Sequence, residues 1–175
     1  MLKNSGLSRN KASWRKFHAA VNQNHYFEAC TVTDRFCHDD SQVKPLLEQI
    51  NEPIDHFSGD GAYDETPVYE AVLAHSPDAD VVIPPRSNAV VNDKAAAFRN
   101  RNIREIEENG RMKWQKDRQY GRRNYGELAF YRYQRVLGAS LHARDIERQE
   151  QEVVLGCGIM NKMSSLGMPA SYRSA

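Results

Sequence analysis

Two segments of strand length that flank a helical segment constrain the fold of this chain more than any other feature of its sequence. Residues 79–83 are almost entirely apolar, as is typical of a strand buried on both faces, and a Pro-Pro pair follows them. Residues 54–58 have the length of a second strand, and Thr66 can cap a helix between the two. A strand, a helix and a strand of these lengths predict a parallel, right-handed βαβ unit. We therefore expect a single α/β domain.

The surrounding segments predict a hairpin before this unit and helices after it. Strand-like runs at residues 14–21 and 25–33 flank an Asn-rich turn, which is typical of a β-hairpin. Apolar residues at helical spacing also predict a short helix that ends near residue 50. Further helical patterns cover residues 94–109, about 124–133, and 143–163. The C-terminal half should therefore be mainly helical.

Charge is unevenly distributed along the chain. The formal net charge over 175 residues is only +1, so overall charge gives no argument for nucleic-acid binding. Residues 99–148, however, contain 13 Lys and Arg against 7 Asp and Glu, as expected of a surface that contacts phosphates. An ordinary solvated helix surface is equally compatible with this count.

Nothing in the sequence points to a membrane or to an oxidising compartment. No apolar run approaches the roughly 18 residues of a membrane span. The three cysteines lie far apart and form no CxxC pair. We therefore expect reduced thiols in a cytoplasmic protein that does not associate with membranes.

Two motifs carry the residues best suited to metal-dependent chemistry. The first places Asp60 in a Gly-Asp-Gly sequence directly after the strand predicted at residues 54–58, and the second places Glu127 in a later helical segment. Two such carboxylates can converge on a divalent ion, and Mg²⁺ prefers oxygen ligands. The complete second motif comprises Tyr120, Arg123, Glu127 and Gln134, with Arg122 beside it. Taken singly, Asp60 could be a turn residue and Glu127 an exposed helix residue.

Four stretches, taken in order, are similar to a known protein family. They are residues 14–21 (WRKFHAAV), residues 60–64 (DGAYD), residues 82–86 (VIPPR), and residues 120–123 (YGRR) with Glu127. Over residues 14–163 the chain resembles the catalytic domain of bacterial insertion-sequence transposases of the DDE type, in the group with a Tyr-Arg-Glu-Lys signature. The resemblance implies an RNase H-like fold and DNA transposition by metal-dependent cleavage and strand transfer. It also implies Mg²⁺ or Mn²⁺ as cofactor, DNA at element ends and target as substrate, and a second copy or a full-length transposase as partner.

The same resemblance assigns roles to the motif residues. Asp60 corresponds to the second catalytic acid and Glu127 to the third, so both are expected to be metal ligands. Contacts to DNA are assigned to Tyr120, Arg122, Arg123 and Gln134. The last signature residue is Lys in the family, so the Gln in this chain removes one positive charge.

The first catalytic acid of the family has no counterpart in the sequence. It lies on a strand that precedes the hairpin, and residues 1–13 contain no Asp or Glu. We therefore expect a disordered lead-in at residues 1–13, a partial catalytic domain at residues 14–163 without its first, central strand, and a flexible tail at residues 164–175. Four strands should remain, at about residues 14–21, 25–33, 54–58 and 79–83. With two acids in place of three, metal binding should be weak and catalysis impaired.

Three functions are compatible with these features. The chain could be a transposase catalytic domain that cuts and joins DNA. It could instead be a non-catalytic remnant that binds DNA or a full-length transposase, which the missing acid and Gln134 favour. A host RNase H-like nuclease is the third alternative, and the basic segment at residues 86–116 argues against it because such nucleases are usually more compact.

Overall fold

The computed structural model describes residues 2–4, 14–92 and 96–167. The chain forms two compact units: the first comprises residues 1–35 and 125–175, and the second residues 36–124. The strands are β1 (Leu2–Asn4), β2 (Trp14–Val21), β3 (Phe27–Asp34), β4 (His56–Ser58), β5 (Asp80–Val82) and β6 (Ser140–Leu141). The helices are α1 (Val43–Leu47), α2 (Thr66–His75), α3 (Ala97–Asn109), α4 (Arg111–Asp117), α5 (Asn124–Leu137) and α6 (Ile146–Ser165). Both units mix helices and strands, which confirms the α/β class.

The hairpin predicted near the N-terminus forms the larger sheet of the first unit. β2 and β3 pair antiparallel along their whole length. The Asn22 side-chain oxygen closes the turn, because it accepts hydrogen bonds from the backbone N–H groups of Asn24 at 2.8 Å and Tyr26 at 3.1 Å. A short polar side chain that bonds to nearby backbone in this way favours a turn over a continued strand.

The sheet of the first unit contains two strands, β1 and β6, that the sequence did not predict. Leu2–Asn4 lies within the segment expected to be disordered, yet it forms β1, antiparallel to β2 on one side and parallel to β6 on the other. The hairpin therefore pairs with β1, and the strand order is β3-β2-β1-β6. The physical reason is that β2 presents unpaired backbone groups along its edge, which a nearby segment can satisfy whatever its side chains. Residues 5–13 and 168–175, the rest of the predicted lead-in and most of the predicted tail, lie outside the described residues.

Helix α6 packs on β3 and completes the first core. Asn161 fixes this packing, because its amide accepts from the Phe27 N–H at 2.8 Å and donates to the Phe27 carbonyl at 2.9 Å. The buried residues of this core are Phe17, Phe27, Val32, Ala129, Tyr133, Leu141, Val153, Cys157 and Met160. Strand and helix are thus joined both by apolar packing and by hydrogen bonds from one helix side chain to the strand backbone.

Gly156→Ala in α6 is expected to destabilise the first unit. A Cβ at this position would lie 2.8 Å from ring atoms of Tyr133, which is buried in the core. Overpacking of this kind costs about 1–3 kcal/mol, more than the roughly 1 kcal/mol that alanine gains over glycine within a helix. Gly158→Ala is the matched control, since nothing lies within 4 Å of its added Cβ. Urea unfolding followed by circular dichroism should give a lower free energy of unfolding for Gly156→Ala than for the wild type, and an equal or higher one for Gly158→Ala. The reverse order would contradict this packing.

The second unit contains the predicted βαβ arrangement. β4 and β5 are parallel and form a separate two-stranded sheet, and α2 connects them. The paired segments are shorter than predicted, although Ala79 and Ile83 at the ends of the second apolar run are fully buried. The core of this unit consists of Val43, Leu47, Val68, Tyr69, Val72, Ala79, Val81 and Ile83.

Two consecutive helices follow the βαβ unit. Gly110, at φ +79°, ends α3 as the sequence predicts, because this backbone conformation is unfavourable for residues with a Cβ. α4 begins directly after it and was not predicted, since the charged, short segment has little apolar periodicity. Among the described residues, no helix is both long and apolar enough to cross a bilayer.

Candidate functional site

Asp60 lies just beyond the carboxyl end of β4, as predicted. The parallel pairing extends past the strand, since the Gly59 N–H donates to the Val82 carbonyl at 3.3 Å. The exposed Asp60 carboxylate then accepts a hydrogen bond from the Ala62 N–H at 2.8 Å and so caps the 3-10 turn Gly61–Tyr63. The backbone thus presents one carboxylate at a fixed place beside a sheet edge.

A side chain at either glycine beside Asp60 would crowd a neighbouring group. A Cβ on Gly59 would lie 3.0 Å from the Tyr63 ring, and a Cβ on Gly61 would lie 3.3 Å from the Pro84 carbonyl oxygen. Each neighbour would have to shift by a few tenths of an ångström, so close packing favours glycine on both sides of Asp60.

A buried ion pair that sequence reasoning missed follows the same turn. The Asp64 side chain is 1% exposed, and the Arg99 Nε lies 3.1 Å and 3.2 Å from its two oxygens. The Tyr69 hydroxyl donates to Asp64 at 3.0 Å. Burial raises the pKa of Tyr69, and the Asp64 charge raises it further, so this hydroxyl stays protonated and remains a donor. No sequence signal marks the pair, because its members lie 35 residues apart.

The 3-10 turn Tyr120–Arg123, which we call the signature turn, packs against β4. The Arg123 guanidinium carbon lies 5.8 Å from the centroid of the Tyr120 ring. The positive charge of Arg122 lowers the pKa of His56 on β4. Three of the predicted DNA-binding residues therefore lie in the same unit as Asp60, beside the strand that leads to it.

Trp114 and Asn102 connect the signature turn to β5, which the sequence did not predict. The Trp114 indole is buried, and its ring centroid lies 5.7 Å from that of Tyr120. Its Nε1–H donates to the Asn102 side-chain oxygen at 3.3 Å, and the buried Asn102 amide lies 3.4 Å from the carbonyls of Val81 and Ile83. The signature turn is therefore supported by a side chain of α4, which is in turn hydrogen-bonded through Asn102 toward β5.

Glu127 and Gln134 lie on α5, where the sequence places them. Glu127 is in the first turn of this helix, and both side chains are exposed. Seven residues correspond to about two helical turns, so the two share one face. Glu127 belongs to the first unit and Asp60 to the second. Their joint action on a metal ion therefore stays a prediction.

The candidate ligands suit Mg²⁺ in kind but not in number. Carboxylate oxygens are the donors this ion prefers, and Asp60 and Glu127 supply them. Within residues 14–92 and 96–167, however, no group of three or more His, Cys, Asp or Glu side chains is placed to hold a metal ion.

Comparison with protein families identifies the class of domain. The family model described as a transposase DDE domain matches residues 3–162. Since this match spans most of the chain, the protein belongs to the DDE transposase domain family, which confirms the resemblance seen in the motifs. Proteins of this family function in DNA transposition and generally use divalent metal ions. No solved structure matches the chain.

His56→Gln is expected to reduce the acid sensitivity of the second unit. Burial lowers the pKa of His56, the Arg122 charge lowers it further, and Asp80 acts in the opposite direction. The folded state then binds fewer protons than the unfolded state, so His56 costs stability as pH falls below the ordinary histidine pKa of about 6.5. Urea midpoints between pH 7 and pH 5 should fall less steeply for His56→Gln than for the wild type. The exposed His38→Gln is the control, and an equal effect of both variants would contradict the assignment.

Proposed function

We propose that this chain is the catalytic domain of a bacterial insertion-sequence transposase, with an RNase H-like fold, that binds DNA but is impaired in cleavage and strand transfer. The observation that carries the proposal is the packing of the signature turn against β4, the strand that leads to Asp60. Family membership alone gives transposition as the general function. This packing supports the proposal because it brings the residues proposed to contact DNA next to the strand that precedes the Asp60 carboxylate.

The RNase H-like fold is supported by the antiparallel series β1, β2 and β3 and by the parallel pair β4 and β5. In the family, the first strand lies between the first hairpin strand and the strand that carries the second acid. Leu2–Asn4 takes the place beside β2, but its other neighbour is β6 and it carries no acidic residue. We therefore propose a variant of the fold in which this strand supplies no metal ligand.

Each motif residue has a role in this proposal. Asp60 and Glu127 would hold Mg²⁺ or Mn²⁺ weakly, and such an ion stabilises charge on the attacking and leaving oxygens of a phosphodiester. The Arg123 guanidinium can bind a phosphate through two N–H groups, and the Tyr120 ring can stack on a base. Arg122 adds a second charge beside β4. Gln134 can donate a hydrogen bond to DNA but contributes no charge.

A second function is favoured by the absent acid and by Gln134. The chain would then act in the cytoplasm as a non-catalytic module that binds DNA, a second copy of itself or a full-length transposase. Both functions are compatible with DNA binding, whereas only the first requires cleavage. A cleavage assay therefore distinguishes the two functions, and a measurement of DNA affinity does not.

Neutralising the signature turn is expected to weaken DNA binding and its salt dependence. Arg122→Gln and Arg123→Gln should each reduce the slope of log K against log salt concentration by about 0.9, the value for one lost phosphate contact on duplex DNA. Fluorescence anisotropy with a labelled duplex over 50–200 mM salt, about the range in which such contacts are screened, measures this slope. Lys44→Gln is the control, because it removes an exposed charge of the same unit that lies outside the basic region of residues 99–148. Unchanged slopes in both arginine variants would contradict the proposed DNA surface.

A further inference from the structure

A group of three polar side chains lies immediately behind the turn that carries Asp60. We call Asp64, Tyr69 and Arg99 the Asp64 clamp. The carboxylate is buried and accepts from both partners, and the Arg99 side chain is only 19% exposed. A second donor group of Arg99 reaches the Val90 carbonyl at 3.3 Å. Burying an ion pair is costly in desolvation and is a poor means of adding stability, so a clamp of this kind is better explained by a need for precise position.

The clamp and Asp60 act on opposite ends of one short turn. Asp60 caps the start of the 3-10 turn Gly61–Tyr63, and Asp64 is its final cap. Between them the Tyr63 N–H donates to the Asp60 carbonyl at 3.0 Å, and the Asp64 N–H lies 3.4 Å from the Gly61 carbonyl. Because so few residues separate the two aspartates, a displacement of Asp64 shifts the backbone that orients Asp60.

We propose that the Asp64 clamp positions Asp60, and that Arg99 and Tyr69 are positioning residues for the metal-dependent reaction, an inference that rests on the proposed function. Arg99 and Tyr69 touch neither DNA nor metal in this role. They hold the Asp64 carboxylate in place, and Asp64 holds the end of the Gly61–Tyr63 turn. The backbone of this turn then sets the direction of the Asp60 side chain. Loss of either partner should loosen Asp60 before it unfolds the unit.

The chain offers a matched control on the same helix. Arg101 also lies on α3 and pairs with a carboxylate, Asp80, at 2.7 Å. That partner stands at the start of β5 and not next to the Asp60 turn. Arg99→Met and Arg101→Met therefore each remove one arginine charge and one ion pair of α3, but only the first acts on the clamp. Asp80 is more exposed than Asp64 and keeps Arg118 as a second partner, so Arg99→Lys, which retains the charge beside Asp64, completes the comparison.

Hydrogen exchange of the Ala62 amide reports the position of Asp60 directly, because this N–H donates to its carboxylate. Arg99→Met should speed this exchange about tenfold, the loss of roughly one hydrogen bond, and Arg99→Lys should restore part of the protection. Arg101→Met should leave it unchanged. Tyr69→Phe, which keeps the ring and removes only the hydroxyl, gives a milder test of the same kind if Arg99→Met fails to fold. Equal exchange in the Arg99 and Arg101 variants would overturn the clamp.

Mn²⁺ affinity, measured by electron paramagnetic resonance on the free protein, separates the clamp from the proposed function. We expect Asp60→Asn to weaken Mn²⁺ binding, Arg99→Met to weaken it in the same direction, and Arg101→Met to have no effect. Wild-type binding that Asp60→Asn does not alter would overturn Asp60 as a ligand, and with it the proposed function of the site, whatever the exchange data show. Binding that depends on Asp60 but not on Arg99 would overturn the clamp alone.

Discussion

The purified 175-residue chain is expected to nick DNA only at a trace rate in Mg²⁺ or Mn²⁺. In-line displacement at phosphorus needs charge stabilisation on both the attacking and the leaving oxygen, which a pair of metal ions provides. The proposed ligands are Asp60 and Glu127, and residues 1–13 add no carboxylate. With one protein anchor for each ion, the rate should fall by several orders of magnitude relative to a three-acid site.

The origin of any trace activity can be tested with isosteric variants. Asp60→Asn and Glu127→Gln keep the shape of each side chain and remove its charge, so each should reduce nicking of a supercoiled plasmid to background. Asp55→Asn, a carboxylate in the loop before β4, is the control and should have no effect. Nicking that survives both site variants would come from a contaminant or from a different site.

Trp114→Ala is expected to destabilise the second unit strongly. The indole is 1% exposed, contacts the Tyr120 ring and donates to Asn102. Truncation of a buried Trp to Ala costs about 3–5 kcal/mol, a large part of the 5–15 kcal/mol typical of a folded domain. The same variant should weaken DNA binding, because the signature turn loses the side chain that supports it.

Urea unfolding and the salt-dependent binding assay together check this expectation. Trp14→Ala is the control, since Trp14 is 38% exposed and lies in the other unit. It should cost far less stability and leave the binding slope unchanged. A Trp114→Ala protein as stable as the wild type would mean that the signature turn does not depend on α4.

The parts of the fold that sequence could predict are those with local causes. The buried strand at residues 79–83 follows from its nearly all-apolar sequence, and the parallel pairing follows from the helix that separates it from β4. The place of Asp60 follows from its two glycines, which favour a turn directly after the strand. These features depend on neighbouring residues and need no knowledge of distant ones.

The parts that sequence could not predict depend on distant partners. β1 and β6 have three and two residues and owe their existence to backbone pairing with each other and with β2. The Asp64–Arg99 pair joins residues that no periodicity links. The hydrophobic pattern predicts neither the short strands, which depend on hydrogen bonds at a sheet edge, nor the Asp64–Arg99 pair, which depends on a buried charge. The pattern likewise does not predict whether Asp60 and Glu127 act on one metal ion.

The most direct test is Mn²⁺-dependent nicking of a supercoiled plasmid by the purified wild-type chain, with Asp60→Asn and Glu127→Gln alongside it. Only trace nicking by the wild-type chain is expected, and background nicking by each variant, because two carboxylates stand where a three-acid site has three. Robust nicking by the wild-type chain that Asp60→Asn or Glu127→Gln abolishes would contradict the proposed impairment.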